Sequence, residues 1–257
     1  MNAHKPLEGK TAIVTGAGTG IGKAIAVAFS EAGAQVVLAG RSRETLDPVA
    51  AAIGGKAVLC NVTRIEDVEN LFGEALELSG RIDVLVNNAG QSGPIAPIAD
   101  VDLDAWRECF EVNVLGVVNC LKVAAQIMTQ QRSGSIINMS SLMGLTGYPM
   151  RSAYSASKFA IIGLTEAVAR EVGPANVRVN ALCPGAVNGE LMERVIARRA
   201  AAEGRSAEEI IKSNYTDVAA LRRWVEPEEV AATALFLASD ASSSITGDRM
   251  KVDCGRF

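Results

Sequence analysis

Tyr154 and Lys158 stand four positions apart in MRSAYSASKFAIIG (150–163). In a helix that spacing puts both side chains on one face, one turn apart. Such a pair is usually a plain helix-surface contact. It becomes chemistry if the tyrosine, which ordinarily holds its proton to about pH 10, has to exchange it near neutrality. A neighbouring ammonium favours the phenolate, so the pair could serve as a general acid or base. Tyr148 and Tyr215 have Ser152 and Ala219 at the matching position and do not compete. Ser141 closes INMSS (137–141), thirteen residues before Tyr154. A serine at a strand end can donate a hydrogen bond to a developing oxyanion. Alternation along the strand sends its neighbour Ser140 the other way.

A second stretch, TGAGTGIG (15–22), suits a phosphate. Gly16, Gly18, Gly20 and Gly22 surround Thr19 and Ile21, and Ile21 breaks the GxGxxG template that starts at Gly16. The mechanism survives. Glycines let the chain turn sharply and approach a pyrophosphate, whose charge sits at a helix N-terminus. In NAD-binding folds an acidic residue about 20 positions further on bonds the adenosine 2′-hydroxyl. Here AGRSR (39–43) has Gly40 at that place, followed by Arg41. A guanidinium would bind a 2′-phosphate that a carboxylate would repel, so NADP(H) is favoured over NAD(H). The alternatives for Arg41 are stacking on an adenine or pointing to solvent.

The elements that must position these residues alternate. Strand-like runs at 11–16, 35–40, 56–60, 82–90, 135–141, 177–185 and 249–253 are separated by helical patterns at 20–32, 43–53, 64–79, 102–131, 152–172, 190–212 and 227–239. This predicts a doubly wound α/β fold, a parallel sheet with helices on both faces. No linker or charge block divides the chain, so residues 1–257 read as a single domain. The segment 186–226 reads as an amphipathic insertion with a solvated face or as a lid over a site; its place in such a fold favours the lid.

Composition narrows the classes. The chain has 257 residues, 49% apolar but only 4% aromatic, and net charge −4. Mean hydropathy is +0.20 and the isoelectric point about 5.3. A large aliphatic core is therefore available, and non-specific nucleic-acid binding, which needs a basic surface, is not expected. Five scattered cysteines without a CxxC pair, and one histidine, His4, supply no zinc set. The cysteines suit a reducing compartment. MNAHKPLEGK (1–10) lacks a signal-peptide core, and no apolar run approaches the roughly 18 residues of a membrane helix. A cytoplasmic protein acting on a small molecule, away from membranes, is the expectation.

Taken together, TGAGTGIG (15–22), NNAG (87–90), Asn113 in FEVNVLG, Ser141, Tyr154-x-x-x-Lys158 and CPG (183–185) resemble the short-chain dehydrogenase/reductase family over nearly the whole chain, Lys10 to about Gly255. The resemblance implies a Rossmann-like sheet of about seven strands and a nicotinamide cofactor. It also implies hydride transfer between that cofactor and an alcohol or carbonyl substrate, with Tyr154 as acid or base. By the same resemblance Lys158 holds the nicotinamide ribose. Asn113 orders a water linking Lys158 to solvent, and Asn87, Ala89, Gly90, Pro184, Gly185 and Val187 line the cofactor cavity. Asn61 and Val62 in CNVT (60–63) are expected at the adenine, with Asn61 where relatives carry aspartate. Gly189 stands where relatives often carry a threonine. Gln91, Ser92, Gly93, Met143 and Tyr148 are candidate substrate contacts, beside arginines Arg194, Arg198, Arg199, Arg222 and Arg223. A homotetramer or homodimer is the implied assembly. Two rivals remain: an epimerase or dehydratase on this scaffold, whose relatives are longer, and a cofactor-sensing protein, which would usually lack the tyrosine.

Overall fold

The protein is described here from a computed structural model over residues 5–256. Seven parallel strands form one sheet in the order β3-β2-β1-β4-β5-β6-β7. They are β1 (Thr11–Thr15), β2 (Gln35–Gly40), β3 (Lys56–Leu59), β4 (Val84–Asn87), β5 (Gly134–Met139), β6 (Val177–Pro184) and β7 (Arg249–Val252). Helices α1 (Gly20–Glu31), α2 (Arg43–Ile53), α3 (Ile65–Ser79), α4 (Leu103–Phe110), α5 (Gly116–Gln131), α6 (Ser152–Val172) and α9 (Pro227–Ala238) connect them. Helix α7 (Glu190–Glu203) and the short α8 (Ala207–Ile211) lie between β6 and α9.

The strands read as continuous apolar runs because both faces are covered. All of β1 is buried, and its alternate residues enter different cores. Val14 packs with Ile25, Phe29 and Leu237 of α1 and α9. Ile13 packs on the other face with Phe72, Leu121 and Ile161 of α3, α5 and α6. Chain order reverses between β1 and β4, so the turns leaving their C-terminal ends diverge and open a crevice at the topological switch point.

Two helical patterns are divided where one element was expected. The run 102–131 contains a π-helical turn, Glu111–Leu115, between α4 and α5. Such bulges interrupt the regular ladder and re-aim side chains; this one carries Asn113. The run Leu103–Gln131 is long and apolar enough to cross a membrane by length and composition, with half of its most apolar window buried inside the fold. The run 190–212 breaks at Gly204, which has φ +64°. Ser206 and Glu209 then open α8 with a capping box, an S-x-x-E signal the periodicity reading passed over. Within 186–226, Ile196, Ile210 and Tyr215 build a cluster separate from the two main cores. Tyr215 stacks on Trp224 with centroids 5.2 Å apart. Bridges Val187–Val225 and Ala219–Arg256 fasten the segment.

Candidate active site

The glycine turn leaves β1 at the crevice. Gly16 and Gly20 have φ +66° and +53°, the region glycine enters without cost. A Cβ on Gly22 would strike the Gly16 carbonyl, and one on Gly16 would lie 2.9 Å from Asn88 Nδ2. Gly18 has another reason: its Cβ would meet Thr45 Oγ1 of α2 at 2.5 Å. Thr19 stands at the N-cap of α1 without a side-chain capping bond, and no acidic residue occupies the first turn of Ile21 and its neighbours. An uncapped helix N-terminus behind a tight backbone cradle fits a pyrophosphate.

The turn is laced to β4 by a residue the sequence reading passed over. Asn88 Nδ2 donates to the carbonyls of Thr15 (2.9 Å) and Gly16 (3.1 Å). Thr15 Oγ1 accepts from the backbone N–H groups of Asn88 and Ala89, both at 3.0 Å. Asn87 is buried and commits its NH₂ to Asn138 Oδ1 at 2.8 Å; its own Oδ1 is buried without a hydrogen-bond partner among the described residues. Of the NNAG pair, the second asparagine braces the phosphate turn. A Cβ on Gly90 would lie 3.0 Å from Asn113 Oδ1, so that position needs glycine for close approach.

At the adenine end, Arg41 is exposed. Asn61 Oδ1 accepts from the Thr63 N–H and hydroxyl at 3.2 and 3.0 Å, which leaves its NH₂ for a ligand. The Val62 side chain packs where a Cβ on Gly116 would fall, and its carbonyl accepts from Asn119 at 2.9 Å. Pro184 ends β6, and the Gly185 N–H donates to Val252 at 2.9 Å. Gly189, with φ +137°, precedes α7.

The tyrosine end is assembled from three elements. Tyr154 and Lys158 lie on α6, Ser141 just past β5, and Asn113 in the π turn. Ser141 stands close enough to the Tyr154 hydroxyl to oppose its upward shift, and Ser141 Oγ accepts from the Met143 N–H at 3.2 Å. Ser140 points away and donates to the Lys158 carbonyl at 2.8 Å, as alternation predicts. Lys158 Nζ lies 5.5 Å from the Tyr154 ring centroid and donates to the Met139 carbonyl at 2.7 Å. The Asn113 carboxamide grips Gln91 twice, accepting from its N–H at 2.8 Å and donating to its carbonyl at 2.9 Å. It also donates to Ser157 Oγ at 3.1 Å. The π turn therefore ties the loop after β4 to α6.

The electrostatics differ from the expectation that Lys158 helps to draw the tyrosine down. Burial pushes the Tyr154 phenol above its ordinary value; the Arg151 charge and the Ser141 hydrogen bond oppose that shift. Burial also lowers Lys158 from 10.5 to about 8. The protein alone therefore holds a neutral tyrosine beside a weakened ammonium, because desolvation of the charged form is the largest influence on each.

Met143 and Tyr148 line a cavity of about 40 Å³ with Arg151, Arg199 and Tyr215. Ser92 reaches this corner through its carbonyl, which accepts from Arg151 Nη2 at 3.1 Å. A Cβ on Gly93 would meet Cys109 Sγ at 2.7 Å. Of the arginines noted in 186–226, Arg199 faces the cavity. Arg194 and Arg198 are exposed, Arg222 lies 3.9 Å from Asp217 and Arg223 lies 2.6 Å from Glu229. Arg151 and Arg256 went unread in the sequence, although Arg151 lies one helical turn before Tyr154. A larger cavity, about 260 Å³, is lined by Lys10, Asp83, Ser135, Arg178 and Asp240 at the opposite ends of the strands. Among the described residues no group of three or more His, Cys, Asp or Glu is placed to hold a metal ion; His4 lies outside them.

A phosphate cradle at a switch point, facing a tyrosine, a serine and a lysine, defines a dinucleotide-dependent oxidoreductase. A family model described as enoyl-(acyl carrier protein) reductase matches residues 16–256. The chain is 40% identical to the short chain dehydrogenase/reductase astE of Aspergillus oryzae, over 97% of this chain and 95% of that one. Its fold superposes on NAD⁺-bound xylitol dehydrogenase with TM-score 0.93 and 33% identity, covering 98% of this chain and 100% of that one. It also matches an actinorhodin polyketide ketoreductase with NADPH, at TM-score 0.91 and 29% identity over 96% and 98% of the two chains. The chain belongs to the short-chain dehydrogenase/reductase family. It is an NAD(P)-dependent oxidoreductase acting between alcohol and carbonyl groups.

Proposed function

We propose that Tyr154 is the group that exchanges the proton of the reacting hydroxyl. The observation that carries this reading is the meeting of Tyr154 and Ser141 beside Lys158, whose Nζ lies 5.5 Å from the Tyr154 ring, at the C-terminal ends of the strands. Two hydroxyls there converge on the place a substrate oxygen would take. The bound nicotinamide supplies hydride acceptance or donation. Ser141 holds the substrate oxygen and stabilises charge that develops on it. Lys158, bonded to the Met139 carbonyl at 2.7 Å, would hold the nicotinamide ribose, and Asn113, whose carboxamide is committed to Gln91 and Ser157, would order a water toward solvent through its backbone. The added positive charge of an oxidised cofactor is what offsets the desolvation of the Tyr154 phenolate. Tyr154→Phe is expected to lower kcat by about 10³-fold or more while the dissociation constant for cofactor stays within about twofold. Residual turnover near the wild-type rate would sink the assignment.

The proposal extends to cofactor choice and setting. Arg41 is exposed and has no ion-pair partner among the described residues, and no acid stands at Gly40; both favour NADP(H). Arg41→Ala should weaken NADP binding at least tenfold more than NAD binding, measured by titrating each cofactor. Equal losses would remove Arg41 from 2′-phosphate recognition. The chain acts as one domain with 186–226 as a lid, which its separate small cluster supports. A homotetramer is supported by large apolar side chains exposed on neighbouring helices, Leu103 (60%) on α4 and Phe159 (45%) on α6. A cytoplasmic setting is supported by five unpaired cysteines, four of them buried.

A further inference from the structure

Beside Tyr154 lies a guanidinium without an anion. Arg151 precedes α6 and is 7% exposed. Its Cζ stands 5.0 Å from the Tyr154 ring centroid. Nη2 donates to the Ser92 carbonyl at 3.1 Å; Nε is buried without a partner among the described residues. The titratable groups acting on it are Tyr154, Tyr215, Cys109 and Arg199, and none is a carboxylate. Arginine does not escape burial by losing its proton, and an uncompensated buried charge is strongly unfavourable. An anion at this corner would be held by a guanidinium already stripped of water.

Arg199 lines the same cavity, and a third guanidinium, Arg256, stands against two of its lining rings. Arg256, from the far end of the chain, donates to Tyr148 Oη at 3.0 Å, with Cζ 5.6 Å from the ring centroids of Tyr148 and Tyr215. Arg199 Cζ is 5.6 Å from the Tyr148 ring, but its charge is shared with Glu203. Among the described residues, three guanidinia and one carboxylate, Glu203, are gathered here. The cavity's roughly 40 Å³ is room for about three waters, the size of a carboxylate rather than of a long chain.

We propose that the substrate is a short hydroxy acid, or the corresponding oxo acid, whose carboxylate docks on Arg151 while its hydroxyl or carbonyl faces Tyr154 and Ser141. A planar guanidinium fork matches a carboxylate. Arg256 and Arg199, from the chain end and from α7, close the same corner. The carboxylate is a handle and is unchanged by the reaction. This inference rests on the oxidoreductase reading above.

The test uses 2- and 3-hydroxy acids of three to six carbons, each paired with its methyl ester, with both cofactors. Wild-type protein should prefer acids in kcat/KM. In Arg151→Gln the acid-over-ester ratio should fall by about 100-fold, mainly through KM, and Arg151→Lys should restore part of it. Malonate, which carries no hydroxyl to oxidise, should raise the unfolding midpoint of the wild type with saturating oxidised cofactor, and not that of R151Q. Esters used as well as acids, an unchanged ratio in R151Q, or no malonate effect on the wild type would overturn the carboxylate assignment, while turnover of neutral alcohols would keep the oxidoreductase reading. If R151Q does not fold, the wild-type preference and the malonate shift decide alone. Absence of turnover with acids, esters and neutral alcohols alike would remove both readings.

Discussion

Lys158 is the residue where function and stability pull apart. Its ammonium is 5% exposed and faces Tyr154 on its own helix, Cys109 on α4 and Cys183 on β6, with no carboxylate among them. Burial raises both thiols, Cys183 to about 11, so they are neutral at pH 7. A lysine lowered from 10.5 to about 8 binds fewer protons folded than unfolded between those values. The stability it removes is therefore removed in full below pH 8 and regained as pH rises toward 10.5. That penalty is on the order of 3 kcal/mol, less about 1 kcal/mol for the hydrogen bond to Met139. Lys158→Met should abolish turnover yet raise the unfolding midpoint at pH 7, with the gain shrinking by pH 10. Thermal unfolding of both proteins at the two pH values checks this; a destabilised variant at pH 7 would contradict it.

At the scale of elements, two local irregularities hold the site. The glycine turn must pass under its own carbonyl, which is why Gly22 admits no Cβ. Gly22→Ala should cost about 1–3 kcal/mol of stability and weaken cofactor binding at least tenfold, since the backbone must move where the pyrophosphate sits. Calorimetry and a cofactor titration read the two effects together, and an unaltered dissociation constant would count against the cradle. The π turn between α4 and α5 is the second irregularity. It buries Asn113 fully and lets one carboxamide bond Gln91 and Ser157 at once. Hydrophobic periodicity in 102–131 is nearly the same with or without one extra residue in a turn, so the bulge was invisible to the pattern.

For the whole molecule, the two ends of the strands have different tasks. The C-terminal ends carry the glycine turn, the tyrosine and the arginine corner, while the N-terminal ends carry the larger polar cavity. The helical side offers a route to assembly. Phe159 is 45% exposed one residue after Lys158, so an assembly through α6 would lie directly behind the site. Phe159→Glu should shift the protein toward dimers or monomers in light scattering coupled to size exclusion. A wild type that is already monomeric, or a variant with unchanged mass, would rule out that face.

The amino-acid sequence by itself determined what depends on short-range spacing. Alternating strand and helix patterns implied the parallel sheet. The four-position spacing of Tyr154 and Lys158 implied a shared helix face, and strand alternation separated Ser141 from Ser140. Each follows from periods of 3.6 and 2 residues, which the chain displays locally. Tertiary structure decided what depends on burial and on distant partners. It assigned the bracing of the glycine turn to Asn88. It assigned Gly18 to packing on Thr45, and it made burial the largest influence on both Tyr154 and Lys158, because desolvation is a property of the folded environment. It also brought Arg256 to Tyr148 across 108 positions. No local pattern encodes that meeting; only the closed sheet and the segment packed over it bring Arg151 and Arg199 to one small cavity, with Arg256 bonded to the Tyr148 that lines it.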